Sequence, residues 1–252
     1  MLKAYYRLTK PGIIYGNLLT AAAGFLFASK WHIVPGLFAA TLAGTSLVIA
    51  AACVYNNYID RNIDKRMART KKRALVQGTI SGKHALIFAT MLGVLGFALL
   101  LAYTNTLVTV IGVIAFIDYV VLYGISKRRS VYGTIVGSIS GAAPIVAGYV
   151  AVTNQFDLGA LLLFFILVYW QMPHFYGIAM YRFDDYKAAG IPVLPVQKGM
   201  ARGRDRTWQR FAPAPPRSET LRTPKLRAYT RIIPALVGCA GFCRSTVSFY
   251  SP

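Results

Sequence analysis

Six long apolar segments alternate with short polar segments along the first 180 residues of the chain. A helix that crosses the hydrocarbon core of a bilayer needs about 17 to 25 predominantly apolar residues. Each segment has about this length, and charged residues are almost absent inside them. The pattern therefore predicts an all-α, polytopic transmembrane helical bundle. The six predicted spans are Gly12–Ala28, Ile33–Tyr55, Ala85–Tyr103, Thr106–Ile125, Gly133–Val152 and Leu158–Met180.

The composition supports a membrane protein and argues against a nucleic-acid-binding protein. Hydrophobic residues make up 56% of the 252 positions and charged residues only 14%, whereas ordinary soluble domains are about 25% charged. The 28 Lys and Arg outnumber the 8 Asp and Glu, which gives a formal net charge of +20. A basic protein that binds nucleic acid would be much less apolar. We therefore expect the lipid bilayer, and no nucleic acid, among its partners.

The basic residues of positions 1–198 lie in alternate loops. Seventeen of the eighteen occupy the N-terminal segment and the loops after the second, fourth and sixth spans, while only Lys30 lies elsewhere. Because cytoplasmic loops carry an excess of Lys and Arg, the N-terminus and these loops are predicted to be cytoplasmic. No cleavable signal peptide and no Arg- and Ser-rich transit segment is recognisable, so the expected location is a bacterial inner (plasma) membrane.

The composition changes near residue 199. Residues 1–198 contain ten Lys and eight Arg, whereas residues 199–252 contain one Lys, nine Arg and six of the 12 prolines. We predict a transmembrane domain over residues 1–198 and a disordered, basic, Arg- and Pro-rich tail over residues 199–252. The tail is interpreted either as an arm at the anionic lipid surface or as a segment without a function, such as one that follows a change of reading frame.

A ladder of oxygen-bearing side chains marks the end of the second span. Asn56, Asp60 and Asp64 recur at four-residue intervals, which keeps them within an arc of about 80° on one helix face. Such donors suit Mg²⁺, which takes one or two carboxylates and completes its coordination with water and phosphate oxygens. Arg69 and Arg73 follow and suit an anionic ligand such as a diphosphate. The alternative is a helix end with solvated charges.

A second acidic segment follows the sixth span. Pro173 is expected to kink this span, and His174 lies within it. Asp185 comes eleven residues after His174, about 20° away in helical phase, so the two share a face if the helix continues. An intramembrane His is either a hydrogen-bonded helix contact or a functional group. Gly190 and the prolines that follow it are predicted to end the helix in a loop.

Between the two acidic segments, the fourth span ends in Lys127 and Arg128. These residues either bind phosphate or carboxylate groups or only anchor the topology. Asp118, inside the same span, is expected to face the bundle interior, as polar residues in spans usually do. Close helix packing is predicted for three glycines at four-residue spacing, Gly133, Gly137 and Gly141.

These motifs resemble those of a known family. The Asn-x₃-Asp-x₃-Asp series, followed by Met67, Arg69 and Arg73, is similar to the first aspartate-rich motif of UbiA-type intramembrane prenyltransferases. Within that family the chain looks like the protohaem IX farnesyltransferases, or haem O synthases. This narrower resemblance rests on the segments LTKPGI, KRRSVYGT, GSISGAAP, MPHF and DDYKAAGIPVLPVQKG. It covers about residues 5–199.

The resemblance implies transfer of a farnesyl group from farnesyl diphosphate to a vinyl group of haem b, giving haem O. The product would pass to haem A synthase or a terminal oxidase. His174 would lie in the substrate cavity and, with Asp60, Asp64 and Asp185, form the catalytic set; Asp184 is the second half of the Asp-Asp pair. The residues implied to hold Mg²⁺ are Asn56, Asp60, Asp64 and Asp185. Those implied to bind diphosphate or a haem propionate are Arg69, Arg73, Lys127 and Arg128, with Asn56.

The family fold has about nine spans, and six are evident here. The domain over residues 1–198 is therefore expected to be incomplete and its activity to be reduced or absent. One alternative is a UbiA-type prenyltransferase with an aromatic quinone-precursor acceptor. Another is a transporter or channel that uses His174 and Asp118 in an ion path. The third is an inactive truncated membrane protein.

Overall fold

The structure, a computed structural model, describes residues 1–205, with side chains described as far as Gly199. Its regular elements are helices joined by turns and short loops, and no strand occurs within residues 1–205. In chain order they are α1 Leu2–Leu8, α2 Pro11–Ser29, α3 Pro35–Asp64, α4 Gly82–Tyr103, α5 Thr106–Ile117, a π-helical turn Asp118–Leu122, α6 Tyr123–Arg129, α7 Gly133–Thr153, α8 Leu158–Tyr181, α9 Phe183–Ala189 and α10 Leu194–Asp205.

Six helical segments within residues 1–205 are long and apolar enough to cross a bilayer. They are α2, α3, α4, the continuous segment Thr106–Arg129, α7 and α8. All six predicted spans are thereby confirmed, and with them the all-α, multi-pass class. The main extension is in α3, which continues past the predicted end at Tyr55 to Asp64. The acidic ladder is therefore part of the same helix as the second span.

Glycine contacts bring the helices together in pairs. A Cβ atom added at Gly24 of α2 would lie 2.0 Å from the backbone oxygen of Ile145, and one at Gly148 of α7 would lie 1.9 Å from that of Ala21. In α4, a Cβ at Gly96 would lie 2.9 Å from the Val48 backbone nitrogen of α3. Such close backbone approach is the main packing device where lipid removes the hydrophobic drive for association.

The three glycines predicted for close packing are confirmed as contact positions of α7. A Cβ at Gly133 would lie 2.8 Å from Lys127 Cα, and one at Gly137 would lie 2.8 Å from the Tyr123 ring. A Cβ at Gly141 would lie 2.2 Å from Gln171 Oε1 of α8. The first two glycines therefore seat α7 against α6, which carries Lys127 and Arg128 at its end.

Asp118 faces the bundle interior, as predicted. It is 3% exposed, and its Oδ2 accepts a hydrogen bond from the backbone amide of Ser140 in α7, at 3.1 Å. Asp118 also begins the π-helical turn between α5 and α6. A π-helical turn holds more residues than an α-helical turn, so it rotates the following residues of α6 relative to a regular helix. The direction in which α6 presents its basic end is therefore set by this turn.

The sixth span differs from the prediction at its end. Pro173 lies inside α8, which continues to Tyr181, and Arg182 (φ −103°, ψ 25°) separates α8 from α9. The helix therefore does not continue from His174 to Asp185, and the condition under which these two residues would share one helix face is not met. The physical reason is that Arg182 leaves helical dihedral angles, so the two residues belong to separate helices.

The chain turns sharply after α9 and then becomes helical again. Gly190 ends α9 in the left-handed region (φ 68°), as the glycine and prolines predicted. The connection is short, because α10 begins at Leu194. Gly199 (φ 85°, ψ 158°) interrupts α10, and the backbone beyond it is helical to Asp205. The first residues of the predicted tail are thus helical, and the rest of that tail lies outside the described residues.

Candidate active site

The acidic ladder lies on one face of α3 and is buried. Asn56 and Asp64 are each 2% exposed and Asp60 is 9% exposed. Burial of all three at four-residue spacing confirms that they share an inward face of a continuous helix. Buried carboxylates require charged or hydrogen-bonding partners because desolvation of an isolated charge is costly. The basic residues around the ladder supply those partners.

Lys127 and Arg128, at the end of α6, enclose the carboxylate of Asp60. The Lys127 ammonium donates to Asn56 Oδ1 at 2.8 Å and also to Asp60 Oδ2. The Arg128 guanidinium donates to the other carboxylate oxygen, Asp60 Oδ1, at 2.8 Å, and to the Ile59 carbonyl at 2.9 Å. Both oxygens of Asp60 therefore face cations. In this structure the anionic partner of Lys127 and Arg128 is the carboxylate of Asp60.

Arg73 makes the corresponding contact with the last rung of the ladder. Its Nη1 donates to Asp64 Oδ2 at 2.6 Å and to Asn57 Oδ1 at 3.1 Å. Asn57 in turn donates from Nδ2 to the Leu8 carbonyl at 2.8 Å, which ties the N-terminal helix α1 to α3. Sequence reasoning missed Asn57. The doubled asparagine at the start of the ladder was the available signal.

Lys10, one of the basic residues of the N-terminal segment, was not among the predicted site residues. It lies between α1 and α2 in the left-handed region, with φ 55°, which is a strained position for a residue with a side chain. Burial, together with the nearby charges of Arg73 and Lys127, lowers the pKa of Lys10 to about 8, while Asp60 opposes the shift. Lys10 therefore faces the same charged cluster. The sequence feature that could have indicated Lys10 is its position directly before Pro11, the proline that begins a span.

Asp185 of α9 reaches the loop that follows the ladder. Its Oδ1 accepts from the backbone amide of Ala68 at 3.1 Å, and Asp185 is half-buried whereas Asp184 is exposed. Burial raises the pKa of Tyr186, the next residue, although the charges of Arg69 and Arg182 act in the opposite direction. Arg69 therefore lies on the α9 side of the site.

An apolar junction holds these two segments together. Met67 of the loop packs with Ala189 and Ile191, and all three are buried. Ile63, Tyr186 and Val193 cover this cluster. The two acidic segments, far apart in the sequence, are thus joined by both a hydrogen bond and an apolar cluster.

The three acids among the residues implied to hold Mg²⁺, Asp60, Asp64 and Asp185, do not form one close cluster in this structure. Among the side chains that the structure describes, those of residues 1–199, no group of three or more His, Cys, Asp or Glu lies close enough to bind a metal ion. Asn56, Asp60 and Asp64 nevertheless fit Mg²⁺ by their chemistry, because they offer only oxygen ligands. The contacts described above place ammonium and guanidinium groups on those same oxygens. A metal ion would therefore have to replace them.

His174 lies apart from the ladder in its described contacts. Its ring stacks on that of Trp170, with centroids 5.1 Å apart, and lies against Phe175 at 5.7 Å. The described hydrogen bonds of residues 1–199 do not link it to Asp60, Asp64 or Asp185. The assignment of His174 to the substrate cavity stays a prediction.

The charged cluster has more cations than anions. Lys10, Arg73, Lys127 and Arg128 face Asp60 and Asp64, and the three ion pairs described here involve only these carboxylates. An excess of positive charge in a largely buried site favours an anionic ligand, and phosphate groups are the usual partners of such Lys and Arg clusters.

This fold and site define a multi-spanning membrane protein with a buried basic and acidic cluster at one end of its helices. The model of the UbiA prenyltransferase family matches residues 17–211. The chain belongs to this family.

Within this family, the chain is similar to proteins named protoheme IX farnesyltransferase. The chain is 57% identical over 202 residues to a protoheme IX farnesyltransferase of Serratia proteamaculans (strain 568). The matched region covers 80% of this chain and 68% of that protein. It is 56% identical over 202 residues to a protein of the same name from Sodalis glossinidius, with the same shares covered.

Solved structures show the same fold. A UbiA homolog from Archaeoglobus fulgidus bound to GPP and Mg²⁺ has a TM-score of 0.70 and 19% identity, covering 98% of this chain and 84% of that chain. The apo structure of a UbiA homolog from Aeropyrum pernix K1 has a TM-score of 0.69 and 19% identity, covering 95% of this chain and 94% of that chain.

Proposed function

We propose that the chain transfers a farnesyl group from farnesyl diphosphate to a vinyl group of haem b, giving haem O. The choice of a diphosphate as substrate rests on the surplus of cations around Asp60 and Asp64 at the end of a membrane-spanning helix. The acceptor is supported by the 57% identity to protoheme IX farnesyltransferase over 202 residues. Within the family, that similarity favours a haem over an aromatic quinone precursor.

The first step is ionisation of the allylic diphosphate. The bond between C1 of the farnesyl group and its oxygen breaks, both electrons leave with the diphosphate, and an allylic cation remains. In this proposal, Lys10, Arg73, Lys127 and Arg128 neutralise the leaving group, since fixed charges in a site with little water stabilise developing charge strongly. Arg69, on the α9 side, extends this basic surface.

The second step joins the two substrates. The vinyl group of haem b attacks C1 of the allylic cation, which forms a carbon–carbon bond and leaves a cation beside the porphyrin ring. A water molecule adds to that cation and loses a proton, which gives the hydroxyethylfarnesyl side chain. Water must be kept away during the first step, and the lipid-facing surface of the surrounding helices serves this purpose.

Mg²⁺ is proposed as the metal of this reaction. Asn56, Asp60, Asp64 and Asp185 would hold the ion, which supplies positive charge to the diphosphate when it is bound. The solved Archaeoglobus structure with GPP and Mg²⁺ supports this choice for the fold. We place His174 beside the acceptor, where its stack on Trp170 fixes its ring.

The proposed location is a bacterial inner membrane with the site on the cytoplasmic side. The contacts Asn57–Leu8, Lys127–Asp60 and Ala68–Asp185 gather the N-terminal segment and the three basic loops at one end of the bundle. Because basic loops face the cytoplasm, this end is the cytoplasmic one. A haem-modifying enzyme or terminal oxidase in the same membrane would take the product.

Incubation of membranes containing the chain with labelled farnesyl diphosphate tests the proposal. One reaction receives haem b and a parallel one receives 4-hydroxybenzoate, both with Mg²⁺, and products are separated by chromatography. Label in a farnesylated haem supports the proposal. Label in prenylated hydroxybenzoate supports the alternative acceptor, and no labelled product in either reaction contradicts both.

A further inference from the structure

The ammonium group of Lys127 occupies the position between two of the three oxygen-bearing ladder residues. It donates to Asn56 Oδ1 at 2.8 Å and to Asp60 Oδ2. These are the oxygens that the proposed function gives to a metal ion. One cation and one metal ion cannot share this position, because like charges repel strongly at such short distances in a poorly solvated site.

Lys127 has no simple route away from the site. Its side chain is only 13% exposed, and the contact of Gly133 with the Lys127 backbone fixes the start of the side chain. The ring of Tyr123, 5.0 Å from Nζ, limits movement on one side. An ammonium group that leaves Asp60 without meeting another anion would remain poorly solvated, which is unfavourable.

Arg128 differs from Lys127 in this respect. Its side chain is 34% exposed and retains the Ile59 carbonyl as a partner. Arg128 can release Asp60 and turn toward water at little cost. The obstacle to metal binding is therefore Lys127 rather than the positive charge of the α6 end as a whole.

We propose that Lys127 closes the metal position at Asn56 and Asp60 until a diphosphate offers its ammonium a new anionic partner. The metal and the diphosphate then bind together rather than independently. This inference rests on the proposed function, because it takes a diphosphate as the anion. It assigns two successive partners to the Lys127 ammonium group: first Asn56 and Asp60, and then the diphosphate leaving group.

The proposal has a thermodynamic consequence. If diphosphate raises the affinity for the metal, the metal must raise the affinity for diphosphate by the same factor. Typical couplings of this kind lie between about 5-fold and 150-fold. The advantage is that the buried carboxylate stays paired in the empty site, and a metal ion alone does not occupy it.

Binding of Mn²⁺, used in place of Mg²⁺ and followed by electron paramagnetic resonance, tests the proposal on the purified full chain in detergent. Lys127→Met is expected to bind Mn²⁺ without diphosphate at least about tenfold more tightly than the wild type. Saturating inorganic diphosphate should raise the Mn²⁺ affinity of the wild type about tenfold or more, and that of Lys127→Met much less. Free Mn²⁺ is calculated from its association with diphosphate in protein-free buffer.

Arg129→Met is the matched control, because Arg129 is an exposed neighbour on the same helix end. It removes the same charge but should leave the coupling as in the wild type. Lys127→Gln, which retains a hydrogen-bond donor, serves as a second uncharged variant if Lys127→Met folds poorly, and it should also bind Mn²⁺ alone more tightly.

The outcomes separate the inference from the proposed function. Equal Mn²⁺ affinity and equal coupling in the wild type and both Lys127 variants would overturn the inference and leave farnesyl transfer untouched. A similar gain in Arg129→Met would also overturn it, since the effect would then be one of general charge. Loss of coupling in Lys127 variants of a chain that transfers no farnesyl group would support the inference and contradict only the proposed reaction.

Discussion

Asp185 accepts a hydrogen bond from the backbone amide of Ala68, with 3.1 Å between the carboxylate oxygen and the nitrogen. The bond joins the short helix α9 to the loop that follows the acidic ladder. Met67, next to Ala68, is buried against Ala189 and Ile191 at the same junction. The two acidic segments therefore form one structural unit, and a change at this junction affects both.

The first prediction concerns the Asp184–Asp185 pair. Asp185→Asn is expected to lower the rate of farnesyl transfer about 100-fold or more, because it removes a charge from the proposed metal and diphosphate site. Asn still offers an oxygen to the Ala68 amide, so the junction should remain. Asp184→Asn is the matched control: Asp184 is exposed, and its substitution should change the rate by roughly twofold or less. Equal losses in the two variants would contradict this assignment.

The second prediction concerns the stability that the Asp60 ion pairs provide. Asp60→Asn is expected to reduce the free energy of unfolding by roughly 3 kcal/mol, because it leaves the poorly exposed Lys127 ammonium without an anionic partner. Adding Lys127→Met to this variant should recover part of that loss, since the unpaired charge is then removed as well. Unfolding of the four proteins of this double-mutant cycle in detergent measures the effect. Simple addition of the two single losses would count against a direct pairing.

The third prediction concerns pH and Lys10. Burial lowers the pKa of Lys10 to about 8, compared with about 10.4 in an unfolded chain. Lys10 is therefore charged in the empty site at pH 7 and largely neutral at pH 9. A charged Lys10 attracts a diphosphate and a neutral one does not, so its contribution to diphosphate binding falls by up to about tenfold from pH 7 to pH 9.

Comparison with Lys10→Met isolates this contribution, since the titration of the diphosphate itself affects both proteins equally. The ratio of the two dissociation constants for farnesyl diphosphate is measured at pH 7, 8 and 9 without a metal ion. The wild type should bind more tightly at pH 7, and its advantage should shrink as the pH rises. A ratio that does not change with pH would show that Lys10 does not face the ligand.

Stability should depend on Lys10 in the opposite direction. Its folded pKa lies below its unfolded pKa, so the unfolded chain binds more protons between about pH 8 and pH 10.4. The native state is therefore destabilised by the buried charge at pH 7, and this cost disappears as the pH rises through that window. Lys10→Met should be more stable than the wild type at pH 7 and lose this advantage by about pH 10, as thermal unfolding in detergent would show.

The spans and the ladder could be predicted because both depend on local patterns. Length and apolar composition define a helix that crosses a bilayer, and a four-residue repeat places Asn56, Asp60 and Asp64 on one face. The roles of Lys10 and Asn57 could not be predicted in this way. They follow from contacts with residues far along the chain, which no local period reveals.

The break between α8 and α9 illustrates the same limit. Pro173, the residue expected to kink the span, lies inside α8, whereas the helix ends at Arg182, which carries no such signal. The apolar contacts between the end of α9 and the loop around Met67 favour a change of chain direction at that point. Tertiary contacts thus decided where the helix ended, and local propensity did not.

The last prediction concerns Gly133, which positions Lys127. A Cβ atom at Gly133 would lie 2.8 Å from Lys127 Cα and 3.0 Å from its nitrogen. A clash with backbone cannot be relieved by side-chain rotation, so Gly133→Ala should push α6 away from α7. We expect a loss of about 1 to 3 kcal/mol in the free energy of unfolding, together with slower farnesyl transfer because Lys127 and Arg128 move away from Asp60.

Gly124→Ala is the matched control on the same helix as Lys127, where an added Cβ meets nothing within 4 Å. This control should keep its rate and gain up to about 1 kcal/mol of stability, since alanine favours a helix over glycine. If the two variants behaved alike in thermal unfolding and in initial rate, the close approach of α7 to Lys127 would not be what positions the basic end of α6.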